Sequence, residues 1–176
     1  MKLLIVVDVQ NDFVDGVLGS AEAQAAIPNI MERLLSVDKD TEVIFTRDTH
    51  DAAYMNTQEG RKLPVPHCIE GSEGWQIVPC VKACVSNMRS EVVNKPVFGS
   101  FDLLNIVDKY VADYGVESIE LLGFCTDICV LSNAILLRNC FTEIPISVNA
   151  ACCAGVTPAK HEAALEAMRS CQIDII

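Results

Sequence analysis

A chain of 176 residues that is 51% hydrophobic and 21% charged is too apolar for disorder and of the size that builds one ordinary core. Its 24 acidic residues against 13 basic ones leave a formal charge of −11, a field that repels phosphate backbones and anionic lipid surfaces, which argues against nucleic acid and membrane partners. No apolar run approaches the roughly eighteen residues of a membrane span, and the opening MKLLIVVDVQND meets two aspartates before any small-residue cleavage site, so a cytoplasmic chain is expected.

Along the chain, LLIVVDV (3–9) reads as a first strand, β-branched and without alternation, as a strand buried on both faces should be. A helical period follows over 22–37, and a second strand over 42–48. The stretch 49–88 breaks this rhythm. It holds Gly60, Pro64, Pro66, Gly71, Gly74 and Pro79, offers no strand, and at that length is expected to be functional rather than a plain connection. Beyond it come a strand at 91–95, a helix over 102–114 stopped by Gly115, a strand at 118–124 and a helix over 129–139. A strand at 146–150, a helix capped by Thr157 with Pro158 in its first turn, and a strand at 172–176 close the series. This alternation predicts an α/β fold in one domain spanning 1–176: a single doubly wound, mostly parallel six-stranded sheet with helices on both faces.

Open parallel sheets bind ligands outside the carboxyl ends of their strands. Asp8, Asp48 and Lys95 end the first three strands, and the fourth runs through Gly123 into Thr126, Asp127 and Cys129. Each has a bland account: Asp8 caps a turn, Lys95 is a solvated charge, Cys129 fills a gap. Their shared rim favours chemistry. A cysteine at a helix N-terminus gains from orphan N–H groups and the dipole, which lower its thiol pKa, and Asp8 can take its proton. No histidine lies near Cys129 in sequence, so Asp8 is the better base. His161, among Ala163, Ala164, Ala167 and Met168, reads as structural. The nine cysteines, an odd number, are expected to be free thiols, Cys80 and Cys84 included.

A second constellation is Asp48-x-His50, with Glu59 and His67 returning from the irregular stretch. Residues i and i+2 of a strand face the same way, and two imidazoles with two carboxylates suit one divalent ion, zinc first, then iron or manganese. Polar loop residues without a metal are the competing account.

The pieces VVDVQNDF (6–13), TRDTH (46–50), PHC (66–68), NKPVFGSF (94–101), GFCTDICV (123–130) and the run from Asn149 to Gly155 resemble the isochorismatase-like cysteine hydrolases, and within them nicotinamidases and related amidases. The resemblance implies a triad of Asp8, Lys95 and Cys129 that hydrolyses a small carboxamide through a thioester, in NAD salvage if the amide is nicotinamide. It implies an oxyanion hole of the Cys125 and Cys129 N–H groups behind a cis Phe124–Cys125 peptide. Phe13 and Phe124 would bind substrate, and one divalent metal on Asp48, His50, Glu59 and His67 would position it. Family members are often dimers or larger, which implies a homo-oligomer. Another small amide, a carbamoyl compound or a ureide is the alternative substrate. Pro64 stands where nicotinamidases carry a stacking aromatic, and Leu63 and Trp75 are the neighbours that could fill that place.

Overall fold

Six runs of apolar and β-branched residues form one all-parallel sheet in the computed structural model, which describes residues 1–176. The strands are β1 (Lys2–Val7), β2 (Thr41–Asp48), β3 (Ser90–Lys95), β4 (Ser118–Phe124), β5 (Ile146–Ala154) and β6 (Asp174–Ile175), in the spatial order β3-β2-β1-β4-β5-β6. Leu3 through Val7 are all buried because β1 lies in the middle of the sheet and is covered on both faces, which is why its sequence shows no alternation. Helices α1 (Asn11–Val14), α2 (Ala21–Leu35), α3 (Gln58–Lys62), α4 (Pro79–Cys84), α5 (Phe101–Tyr114), α6 (Leu131–Cys140) and α7 (Pro158–Ser170) connect the strands. α2 packs with α4, and α6 with α7, in a doubly wound arrangement.

The helix starts obey local chemistry. Ser20, Ser100 and Thr157 each accept a hydrogen bond from the N–H three residues on, at 3.0, 3.0 and 3.2 Å, capping α2, α5 and α7. Gly115 ends α5 at φ +69°, a conformation that suits glycine.

Two differences from expectation bear on the rim, beside the unexpected short α1 and a β6 reduced to Asp174–Ile175. β5 runs to Ala154, four residues further than its sequence pattern shows, because its pairing with β4 slips: Leu121 faces Val148 but Gly123 faces Cys153. The extra residues bulge out of the ladder and hide the strand's continuation. The stretch 49–88 has no named strand, as expected, but it carries a 3₁₀ turn at Tyr54–Asn56 as well as α3 and α4. Isolated bridges tie it to the rim: His50 pairs with Ile69, and Gln10 with Ile77.

Candidate active site

Strand register gathers the rim residues. Val7 faces Thr46 on one side and Gly123 on the other, and Asp48 faces Lys95. The chain winds outward in both directions from β1, so a crevice opens between the ends of β1 and β4. Gly123 lines that crevice at φ +119°, and a Cβ there would run into the Val7 carbonyl oxygen. Only glycine lets the two strand ends approach this closely.

Asp8 leaves β1 at φ +49° and is fully buried. Its Oδ1 accepts a hydrogen bond from Thr46 Oγ1 at 2.6 Å, and its Oδ2 lies 2.6 Å from Lys95 Nζ. Oδ2 has no partner other than the Lys95 ammonium within the protein, so it keeps accepting capacity inside the site. Lys95 is 1% exposed. Its ammonium also donates to Cys129 Sγ at 3.3 Å and to the Val97 carbonyl at 3.2 Å, and lies 3.5 Å from Asp48 Oδ1. The structure thus brings Asp8, Lys95 and Cys129 into one buried cluster.

The protonation pattern follows from burial and charge. Burial pushes the Asp8 carboxyl above its usual value and Asp48 adds to this, with Lys95 opposing. Burial works against the Lys95 ammonium, but Asp8, Cys129 and Asp48 outweigh it and hold the lysine charged. For Cys129 the expectation of a lowered thiol pKa is corrected. Burial raises it well above the ordinary value, the Asp8 and Asp48 carboxylates raise it further, and Lys95 offsets only part. The residue sits inside a π turn at Thr126–Val130, ahead of α6, and desolvation there exceeds any helix-end effect. Cys129 therefore rests as a thiol.

The preceding Phe124–Cys125 peptide is cis, and the Cys125 N–H donates to no acceptor within the protein. Burial, then Asp127 and Asp8, push the Cys125 thiol up to about 12, so its sulfur stays protonated.

Asp48, His50 and His67 are all buried, with one ligand-type atom from each within 4.8 Å of the others. His50 Nε2 lies 3.0 Å from Asp48 Oδ2, and His67 Nε2 lies 3.4 Å from the same oxygen. His67 Nδ1 is 2.8 Å from the Val65 carbonyl, a contact that places the proton on Nδ1 and frees Nε2 to ligate. Burial would raise the Asp48 carboxyl, but its close contacts with His50 and His67 and the Lys95 charge hold it well below the usual range, which suits a ligand. Glu59 stands further out, its Oε1 3.7 Å from His50 Nε2.

A cavity of about 190 Å³ joins the two groups. Cys125, Cys129, Asp48, Glu59 and His67 open into it, with Phe13 and Phe124 as apolar walls. Leu63 lines it as well, whereas Trp75 does not. The indole stacks under the Arg47 guanidinium at 3.6 Å and donates to Thr49 Oγ1 at 2.8 Å. Asn56 is exposed and outside the cavity.

Several residues here escaped sequence reasoning. Thr46 anchors Asp8, and Gln10 clamps the Asp48 backbone, accepting from its N–H at 2.7 Å and donating to its carbonyl at 2.9 Å. Tyr54 packs its ring 4.7 Å from His50 and 5.0 Å from His67. Phe98 supplies a further aromatic wall. Gln10 and Thr46 lie in the two motifs that carry Asp8 and Asp48, which was their only sequence signal. His161, read as structural, has its Nδ1 2.8 Å from the buried Thr126 hydroxyl and so braces the turn that carries Cys129.

Residues 2–176 match the isochorismatase domain model. The chain belongs to the isochorismatase family. Within the family it is most similar to nicotinamidases. A nicotinamidase/pyrazinamidase of Mycobacterium tuberculosis is 25% identical over all of this chain and 98% of its own length. A nicotinamidase of Schizosaccharomyces pombe is 26% identical over 98% of this chain and 91% of its own. Among solved structures, the pyrazinamidase/nicotinamidase of Streptococcus mutans UA159 superposes with a TM-score of 0.85 at 28% identity, covering the whole of both chains. The pyrazinamidase of Pyrococcus horikoshii in complex with zinc gives 0.78 at 25% identity, covering 99% and 98%.

Proposed function

We propose that this isochorismatase-family protein is a metal-containing cysteine amidase that hydrolyses nicotinamide to nicotinic acid and ammonia. One observation carries the reading. The thiol of Cys129, in contact with the Lys95 ammonium that also pairs with Asp8, opens into the same small apolar cavity as Asp48, Glu59 and His67. The similarity to nicotinamidases supports the amide as substrate. No lysine or arginine lines the cavity, which suits an uncharged ring amide.

In this reading the Asp8 carboxylate takes the thiol proton as Sγ attacks the carboxamide carbon, and the carbonyl electron pair moves onto oxygen. The N–H groups of Cys125 and Cys129 meet that oxyanion, where one donor is worth about 3 kcal/mol. Collapse restores the carbonyl and breaks the C–N bond, while Asp8 returns its proton to nitrogen and ammonia leaves. Water then attacks the thioester, giving its proton to Asp8, which passes it to Sγ as the acid departs. A carboxyl with a raised pKa suits a group that gains and loses a proton twice per turnover. Lys95 stays charged throughout and keeps Asp8 and Sγ in register. Asp48, His50 and His67, with Glu59 at a fourth position, fit a divalent ion such as zinc, which would bind the ring nitrogen and present the amide to Cys129.

Leu63 in the wall beside Pro64 leaves one ring face without an aromatic partner, which favours a second reading in which a different small amide, a carbamoyl compound or a ureide is preferred. Ammonia release from nicotinamide by the metal-loaded protein, with Cys129→Ala as the blank, tests the first reading. Release that vanishes in the variant supports it. No release from nicotinamide, with release from another amide in a panel, replaces the substrate and keeps the chemistry.

A further inference from the structure

We infer that Asn133 is a positioning residue that sets the contact between Lys95 and the Cys129 thiol; this rests on Cys129 as the nucleophile. Asn133 is fully buried on α6, an unusual place for a carboxamide unless every polar atom finds a partner. Its Nδ2 donates to two carbonyls, that of Cys129 at 2.8 Å and that of Phe98 at 3.0 Å. Its Oδ1 accepts from the Ser100 N–H at 2.9 Å. One side chain therefore staples the segment after β3 to the turn that carries the nucleophile, across more than thirty residues of sequence.

The consequence follows from what that segment holds. The Val97 carbonyl accepts from Lys95 Nζ at 3.2 Å, and Nζ reaches Cys129 Sγ at 3.3 Å. The path from Asn133 through the Phe98 and Val97 carbonyls to Lys95 and Sγ, and back through the Cys129 carbonyl, is closed. Both ends of the lysine–thiol contact are thus referred to one buried amide. An apolar residue at 133 would leave the helix intact but open the circuit, orphaning the Ser100 N–H and freeing the segment to move Val97, and Nζ with it. Phe98 rides on the same segment and walls the cavity, so a second effect on substrate fit is built in.

The test compares Asn133→Leu and Asn133→Asp with the surface control Asn139→Leu, which sits on the same helix with its side chain exposed. In Asn133→Asp the size and the Ser100 bond are kept, but the donors to the Phe98 and Cys129 carbonyls are replaced. Two rates are read on folded protein: amide turnover, split into kcat and KM, and alkylation of Cys129 by iodoacetamide, with Cys129→Ala subtracting the other eight thiols. Alkylation reports the thiol whatever the natural substrate is, so failure of the nicotinamide assignment would not mask the result. The expected outcome is a fall in kcat of at least tenfold and a parallel change in alkylation rate in both variants, with a smaller change in KM and none of these in Asn139→Leu. Melting temperatures that fall while kcat per folded molecule and alkylation stay within twofold of the parent would reduce Asn133 to a structural residue and overturn the inference. If Asn133→Leu fails to fold, Asn133→Asp decides by the same criteria, and should it fail as well, Asn133→Gln, which keeps the amide but displaces it by one methylene, is read in its place.

Discussion

Replacing Lys95 by methionine isolates what its buried charge does for the fold. The ammonium is 1% exposed and faces Asp8 at 2.6 Å and Asp48 at 3.5 Å, both buried carboxylates. Methionine keeps most of the volume and removes the only cation between them. Breaking a buried pair by deleting one partner costs about 3–5 kcal/mol, because an uncompensated charge stays behind. In a chain of this size 1 kcal/mol moves the melting temperature by about 2–4 °C, so Lys95→Met should melt roughly 6–20 °C below the parent. Both proteins are scanned in chelator, which keeps metal binding out of the comparison. Adding Asp8→Asn removes the stranded charge, and the double variant should recover more than half of the loss while staying inactive. The deficit should also narrow on acidification. Asp8 sits above its ordinary 3.8 in the folded protein, chiefly through burial, and loses the opposing Lys95 charge in the variant. The native state then binds the proton more readily than the unfolded chain, so stability falls as pH rises through the folded value, and the gap should shrink steadily as pH is lowered from neutral toward the ordinary carboxylate range. A melting temperature within 2 °C of the parent, or a double variant no more stable than the single one, would refute the view that Nζ holds the two carboxylates.

Cys129→Ala should lower ammonia release by at least about a thousandfold, since it removes the proposed nucleophile, with the circular-dichroism spectrum unchanged; turnover near the parent's would discard the thioester route. His50→Ala should lower bound metal at least about tenfold by elemental analysis and raise KM more than it lowers kcat, because it takes a ligand from the buried set. A metal content equal to the parent's would dismiss that site. Gly123→Ala should cost about 2 kcal/mol or more, from an unfavourable φ and a collision with the Val7 carbonyl, visible as a melting temperature at least about 4 °C lower. An unshifted melting curve would mean that β1 and β4 part at no cost.

Asp8, Asp48 and Lys95 stood out in the sequence as polar residues ending or following apolar runs, and a parallel sheet places such ends on one rim, whereas Glu59 and His67 come from the irregular stretch and were suggested only by their residue types. Register is what the runs themselves do not contain. Nothing in the VDVQNDF segment separates Gln10, which clamps Asp48, from Asn11, whose side chain reaches only the exposed Glu73 carbonyl. That distinction arises when β1 and β2 pair. Asn133 was equally silent: in LSNAILL it is one of two polar positions on an apolar helix, and its meaning comes from the Phe98 carbonyl and the Ser100 N–H, on a segment that the topology brings in after β3. The end of β5 was hidden for a related reason, since the slip between Leu121 and Gly123 spends residues on a bulge that no period describes. The thiol shows the same division in energetic form. Helix-end reasoning counts only the turn in which Cys129 sits, whereas its proton is held by burial and by carboxylates arriving from β1 and β2. A local pattern can therefore single out a candidate nucleophile, but its resting protonation is a property of neighbours that only pairing supplies. A thiol kept protonated is a weaker nucleophile toward oxidants and alkylating agents than a thiolate, and burial makes the Asp8 carboxylate a stronger base for its proton than an ordinary aspartate.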